Sequence, residues 1–331
     1  MLQCSIIIPT KDRHEIFQRT LEAAVNAGKE NCEVIVINEG QEDLDIGQFD
    51  RVRVYNTGGK GVSYARNLGA KLAKYDLLIF IDNDILLNAE NVRRILEVHF
   101  SFPKALVNPV WRHSDHIQNL KKTSLLGRFM LKYFHDDSFK SRYLSNNKCN
   151  WKENEVFQSQ NDGFAECCFF ISRKEFLKAG GFNEDFKFGK EGLEFSERLN
   201  TSGVKIFIDP QNVVIHNEID RYVDYKLFVN RKKDDVDFYL HTEGGSEKVA
   251  PLITVFVYSI LFRIRFIFEF LISRIPNYKI LDPIYSKNLL ILSQITFYSF
   301  LKERRKNQKT CPESDCKLQC IALFILNLVT D

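Results

Sequence analysis

Asp82 and Asp84 stand one residue apart at the end of an apolar run, in "LLIFIDNDIL". Like charges so close together repel unless a cation or hydrogen-bond donors offset them. A D-x-D pair just past a buried strand can hold a hard divalent cation through its carboxylate oxygens. Mg²⁺ or Mn²⁺ bound in this way keeps waters and takes substrate phosphates as further ligands. The cation then neutralises a diphosphate and makes it a better leaving group. The plainer alternative is a strand-to-loop Asx cap, in which either carboxylate accepts backbone N–H bonds. The pair alone leaves both open.

The elements that must position this pair alternate along the first ninety residues. "SIIIPT" (5–10), "CEVIVINEG" (32–40), "RVRVYNT" (51–57) and "DLLIFID" (76–82) read as strands. "HEIFQRTLEAAVNAG" (14–28), which stops on Gly28, and "GVSYARNLGAKLAKY" (61–75) read as helices. Strands that are apolar throughout and alternate with helices imply a mostly parallel, Rossmann-like sheet covered on both faces. Ligands of such sheets bind beyond the carboxyl ends of the strands. Thr10, Lys11 and Asp12, then Asn38 and Glu39, then Asp82 and Asp84 are therefore expected at one crevice. Residues 100–160 show no clear period and are expected to form a long irregular acceptor loop or lid. Regularity returns with a strand and short helix over 163–182, a helix over 190–203 and strand-like "NVVIH" (212–216).

Composition sets the class. At 331 residues, 44% hydrophobic and 27% charged, the chain is globular, with enough length for one large domain or two. A net charge of +3 gives no general case for nucleic acid. The eight cysteines show no disulfide spacing and demand no oxidising compartment. Cys167 and Cys168 read as buried thiols, and Cys311, Cys316 and Cys320, without a fourth ligand, as incidental. "MLQCSIIIPTKDR" has neither a basic n-region nor a long apolar core, so the expected location is cytoplasmic.

After about residue 220 the character changes. "APLITVFVYSILFRIRFIFEFLI" (250–272) is apolar but interrupted by Arg263, Arg265 and Glu269. Its uncharged part, 249–262, is shorter than the roughly 20 residues a spanning helix needs. "NLLILSQITFYSFL" (288–301) is followed directly by "KERRK". Apolar helices flanked by Arg and Lys fit an interfacial mode on an anionic leaflet, so 250–305 is expected to lie at a membrane surface. The alternatives are a helical pair packed on the preceding domain, a helical dimer surface, or a true membrane span.

In this order, the pieces resemble a family 2 glycosyltransferase of the GT-A fold over roughly residues 3–218. "SIIIPTKDR" is similar to the first strand and its nucleotide-facing loop. "EVIVINEG" is similar to the second, with Asn38 and Glu39 where the family usually carries two aspartates. "NTGGKGVSYARNLGAKLAKYDLLIFIDNDI" spans the glycine loop to the D-x-D, "GFAECCFFISRKEFLKAGGFNEDF" resembles the acceptor-side segment, and "KEGLEFSERL" the acidic helix. "NVVIHNE" carries His216 where metal-dependent relatives place a metal-binding histidine. The resemblance implies a GT-A domain over 1–225 and a helical, apolar-basic extension over 226–331. It also implies roles. Thr10, Asp12 and Glu39 would contact base and ribose, Arg66 and Asn67 would sit near uracil and diphosphate, and Asp82 would reach the ribose or the metal. Asp84 and His216 would bind Mn²⁺ or Mg²⁺, as a mixed oxygen and nitrogen site suits.

One position departs from the pattern. Aligning Arg198 and Leu199 with the family's Arg-Leu places Glu191 on the first acid of its usual pair and Gly192 on the second. That second acid is the base of inverting members, and glycine cannot be one. Glu191 and Glu194, at i and i+3 on one helical face, are the candidate bases, with inversion favoured over retention. The implied activity is metal-dependent transfer from a UDP-sugar to a glycan or lipid-linked glycan in surface polysaccharide or lipopolysaccharide synthesis. The enzyme would then be peripheral on the inner face of the membrane. A degenerate binding protein and a nucleotidyltransferase are the rival readings, although "IPTKDRHE" lacks the glycine-rich loop of the latter.

Overall fold

The computed structural model describes residues 3–29, 31–44, 46, 49, 51–134, 138–145, 150–159, 163–185, 191–217, 225–226, 229, 265–276 and 278–307. Two compact units are present. One comprises 1–122 with 130–222, the other 123–129 with 223–331.

The first unit is built on β1 (Cys4–Thr10), β2 (Cys32–Asn38), β3 (Val52–Asn56), β4 (Leu77–Ile81), β5 (Ile85–Leu86), β6 (Leu106–His113), β7 (Phe157–Gln158), β8 (Cys168–Ser172) and β9 (Ile206–His216). They form one sheet in the order β3-β2-β1-β4-β8-β6-β9-β5, with β7 beside β9. β1 to β4 are mutually parallel, and β6 and β9 are parallel to each other. The departures from the expected parallel pattern are the two-residue strands β5 and β7, antiparallel to β9, and above all β8, which runs antiparallel to both β4 and β6. Its apolar run "CFFIS" carries no directional signal, so the reversal has no signature in the sequence.

β1 shows why the sheet is covered on both faces. Ile6 and Ile8 pack on one side with Phe17, Leu21 and Ala24 of α1 (His14–Ala27). Ile7 packs on the other side with Ala65 and Ala70 of α2 (Val62–Leu72). α2 approaches closely at Gly69, where a Cβ would lie 2.4 Å from the Ile7 side chain. The parallel register also sets Cys4 beside Cys32, and the two form a disulfide that their sequence spacing does not suggest. Cys167 and Cys168 are buried free thiols, as expected.

Residues 100–160 are more regular than their sequence implies. Besides β6 they contain α4 (Asp115–Thr123), α5 (Leu125–Phe134) and α6 (Phe139–Ser145). β6 hides in the sequence because "LVNPVWRH" includes Asn and Pro, yet all but Arg112 are buried. After α3 (Ala89–Ser101), α7 (Arg173–Lys178) and α8 (Glu191–Thr201) follow β8. Phe195 of α8 packs with Phe176 and Phe182, and Phe80 stacks on Phe169 at 4.7 Å. This aromatic cluster fixes the α8 face that carries Glu191.

In the second unit, α9 (Arg265–Arg274) and α10 (Asp282–Asn307) are joined by a 3₁₀ turn, Lys279–Leu281. Arg128 binds both carboxylate oxygens of Asp282 at 2.7 Å. Among the described residues no helix is long and apolar enough to cross a membrane. The apolar stretch 249–262 and the three C-terminal cysteines lie outside the described residues.

Candidate active site

The polar tips of β1, β2, β4 and β9 gather at the carboxyl edge of the sheet, where ligands of open α/β sheets bind. The D-x-D turn is anchored by its middle residue. Asn83 donates to Thr10 Oγ1 at 3.0 Å, and its carbonyl accepts from Thr20 Oγ1 at 3.0 Å. Its Oδ1 accepts from Arg13 Nη1 at 3.1 Å, and the same nitrogen reaches Asp84 Oδ2 at 2.8 Å. The carboxylates on either side therefore project from a fixed turn.

Directly after this turn, β5 pairs antiparallel with the end of β9. Ile85 is the register partner of His216, and Asn217 N–H donates to the Asp84 carbonyl at 2.8 Å. This two-residue ladder brings Asp84 Oδ1 to 3.2 Å from His216 Nε2, with both side chains nearly buried. His216 is packed edge-on against Trp111 and lies beside His113, with centroids 5.7 and 5.6 Å away. Asn91 reinforces the arrangement by donating to Asn212 Oδ1 and the Val213 carbonyl, which ties α3 to β9.

Asp82 does not join this pair. Its Oδ1 accepts from Arg66 Nη2 at 2.8 Å, while Arg66 Nη1 reaches Glu191 Oε1 at 2.8 Å. One buried guanidinium thus bridges the D-x-D turn and the start of α8. Arg66 also lies over the Phe182 ring at 5.2 Å. The two carboxylates keep Arg66 charged despite its burial. Enclosure pushes the Asp82 carboxyl above the usual carboxylate range, against the pull of Arg66 and with the push of Asp84.

The other expected site residues divide by exposure. Asp12 is exposed at the cleft edge, in a left-handed conformation with φ 50°. Thr10, Glu39, Arg66 and Asn67 are buried. Glu39 accepts from Thr57 Oγ1 and from Gly61 N–H, which holds the glycine loop at the start of α2. Asn67 exchanges hydrogen bonds with both backbone groups of Phe182 and donates to Glu184. Glu194 is bound at both oxygens by Arg198, 2.6 and 2.7 Å away.

Two further residues of the site stand outside the motif pattern. Arg13 closes "PTKDR", and its basic character opposite the D-x-D is the available signal. Glu166 is the lone charge in "GFAECCFFIS", a signal in itself. Because β8 runs backward, Cys168 at its start pairs with Ile81 at the end of β4. Asp82 N–H accordingly donates to the Cys167 carbonyl at 2.9 Å, and Glu166 falls at the carboxyl edge of the sheet.

Among the described residues, no three carboxylate, imidazole or thiolate groups assemble into a metal cluster. Asp84 and His216 nevertheless fit a divalent cation of the kind that takes few protein ligands. Neighbouring ligands of an octahedral ion with bonds of about 2.1 Å stand roughly 3 Å apart, close to the 3.2 Å between these two donor atoms.

Residues 5–181 match the family model described as Glycosyl transferase family 2. The chain is 26% identical over 291 residues to a hyaluronan synthase of Pasteurella multocida, covering 76% of this chain and 29% of that protein. It is 24% identical over 293 residues to a chondroitin synthase of Escherichia coli, covering 76% of this chain and 42% of that one. A glucosyl-dolichyl phosphate glucuronosyltransferase of Haloferax volcanii is 25% identical over 114 residues, 32% of this chain and 36% of that protein. The chain spans less than half the length of each of these curated relatives. Among solved structures, S. aureus TarS 1–349 superposes with a TM-score of 0.49 at 12% identity, covering 93% of this chain and 92% of that one.

Proposed function

The chain belongs to glycosyl transferase family 2, and from that membership we propose that it transfers a sugar, with inversion, from a UDP-linked donor to a hydroxyl of a glycan or lipid-linked glycan. The observation that carries this reading is the convergence of Asp84 and His216 beside the Arg66-bridged Asp82 at the carboxyl edge of the sheet. The synthases of hyaluronan and chondroitin among its relatives support surface polysaccharide synthesis as the setting.

In this reading residues 1–225 form the transferase domain and 226–331 a helical region that meets the membrane. Asp84 and His216 would hold Mn²⁺ or Mg²⁺, and such a cation would supply charge neutralisation for a diphosphate leaving group. Arg13 steadies the second oxygen of Asp84. Asp12, exposed at the crevice, faces the nucleotide, and Asp82 faces the ribose while Arg66 keeps its carboxylate oriented. Thr10, Glu39 and Asn67 act on the donor indirectly, by fixing the D-x-D turn, the glycine loop and the start of α2. Exposed Phe270, Ile280 and Ile284, close to Arg274, Lys279 and Lys287, support docking on the inner leaflet from the cytoplasmic side.

The test is to incubate the purified chain with a panel of UDP-linked hexoses, uronic acids and N-acetylhexosamines and with membrane extract as the source of acceptor, in Mn²⁺ or in EDTA, and to measure released UDP. Metal-dependent release is expected. UDP binding without release from any donor would leave a nucleotide-binding protein in place of an enzyme.

A further inference from the structure

Gly192 is the second residue of α8, and its N–H donates to Glu166 Oε1 at 2.6 Å. A Cβ at position 192 would stand 2.1 Å from that oxygen and 2.5 Å from the carboxyl carbon. The Glu166 carboxyl therefore fills the space into which a side chain at 192 would project. Any residue but glycine would displace it.

The neighbouring acids are each held by a guanidinium, although the second oxygen of Glu191, Oε2, is buried with no hydrogen-bond partner among the described residues. Glu191 keeps one oxygen on Arg66, Asp82 accepts from the same guanidinium, and Glu194 is bound at both oxygens by Arg198. Glu166 is half-buried, and its hydrogen bond is to a backbone N–H, not to a cationic side chain. A proton acceptor needs a carboxylate that solvent can reach and no ion pair neutralises; Glu166 is part-exposed at the carboxyl edge of the sheet and makes no salt bridge among the described residues.

We propose that Glu166 is the catalytic base of the transfer, reaching the acceptor hydroxyl from the space that Gly192 leaves open at the head of α8. This role rests on the glycosyltransferase reading above. The acceptor oxygen bonds to the anomeric carbon as the bond from that carbon to the diphosphate oxygen breaks. The bonding electron pair leaves with the nucleoside diphosphate, and the hydroxyl proton ends on Glu166. Glu191 is then a positioning residue that holds Arg66.

The electrostatics agree with the geometry. Burial first, and the Glu191 charge second, push the Glu166 carboxyl up to about 8, while Arg66 pulls it down and Asp82 adds a smaller push. A general base works best when its pKa lies near the working pH.

The plain alternative is that Glu166 only caps α8, so the experiment separates the two. UDP release from the donor panel is followed with Mn²⁺ and a glycan acceptor across pH, for wild type, Glu166→Gln, Glu191→Gln, Glu166→Ala and the double variant Glu166→Ala/Gly192→Asp. Glu166→Gln preserves size and an acceptor for the Gly192 N–H. Its kcat should fall about 100- to 10,000-fold, with donor KM unchanged and the acid limb of the pH profile gone. The double variant returns a carboxylate to the same space from α8 and should recover about tenfold or more over Glu166→Ala. Folding of each variant is checked by UDP binding and melting temperature. Glu166→Gln turnover within about twofold of wild type, or an acid limb lost in Glu191→Gln and kept in Glu166→Gln, overturns the role. A wild type that releases UDP from no donor removes the functional reading, and this role with it. An active wild type beside an equally active Glu166→Gln removes the role alone.

Discussion

Asp84 and His216 become neighbours through backbone pairing: Ile85 is the register partner of His216, and Asn217 N–H binds the Asp84 carbonyl. The side-chain distance of 3.2 Å follows from that ladder. Asp84→Ala leaves the ladder intact and removes one donor atom. Loss of several kcal/mol of charge stabilisation corresponds to about a thousandfold in turnover. UDP release titrated with MnCl₂ checks it, and His216→Ala should raise the Mn²⁺ needed for half-maximal rate. An unchanged Mn²⁺ response in both variants would falsify the metal assignment.

Arg66 holds two carboxylates from separate elements, Asp82 and Glu191. Removing one partner of a buried ion pair strands the other charge and costs about 3–5 kcal/mol. Arg66→Ala is expected to lower the unfolding free energy read from urea denaturation by that order, and Arg66→Lys to recover only part, because an ammonium lacks the planar fork. A loss below about 1 kcal/mol in Arg66→Ala would mean that the bridge contributes little.

Glu166 also makes stability depend on pH, with a defined sign. Its folded pKa, about 8, lies above the ordinary 4.5. Below pH 4.5 it is protonated in both states. Between 4.5 and about 8 the folded chain retains a proton that the unfolded chain has released, so stability falls as pH rises through this window. Asp82 is shifted in the same direction, so the Glu166 share must be read by difference. Melting temperatures of wild type and Glu166→Gln against pH should diverge, the wild type losing more at the alkaline end. Parallel curves would contradict the shifted titration.

The membrane reading has its own test. Ile280 is 84% exposed and Phe270 59%, in a region that carries Arg274, Lys279 and Lys287. Full burial of such side chains is worth about 1.5–3 kcal/mol each. Replacing Ile280 and Phe270 by Ser should weaken binding to phosphatidylglycerol vesicles by roughly tenfold or more per residue, and high salt should weaken the wild type. Equal sedimentation of variant and wild type with vesicles would remove these residues from any docking face.

Much of the domain is legible in its amino-acid pattern. Strands β1, β2 and β4 stand out as apolar runs, and the D-x-D announces itself by placing anions at the end of one. Gly192 is equally plain as a position with no side chain where the resemblance calls for an acid. The carboxyl that fills its space is hidden, because it depends on the direction of β8, and an apolar pentapeptide reads the same both ways. Arg66 poses a different difficulty. Its helix is evident, but ion pairs to Asp82 and Glu191 depend on how α2 and α8 meet the sheet, which no local pattern encodes. β6 escapes notice because its Asn, Pro and His residues are buried, against the usual composition of a strand.

β5 is only two residues long, yet it closes the crevice by joining the D-x-D turn to a segment made much later in synthesis. Contacts between such distant parts of a chain must meet their loop-closure cost before they are rewarded, and so form slowly. β1, β2 and β4 can pair while most of the chain is still emerging from the ribosome, but Asp84 meets His216 only after residue 217 has been added. The crevice is thus among the last features of this domain to be assembled, and a chain that stalls before β9 has most of its sheet and no Asp84–His216 pair.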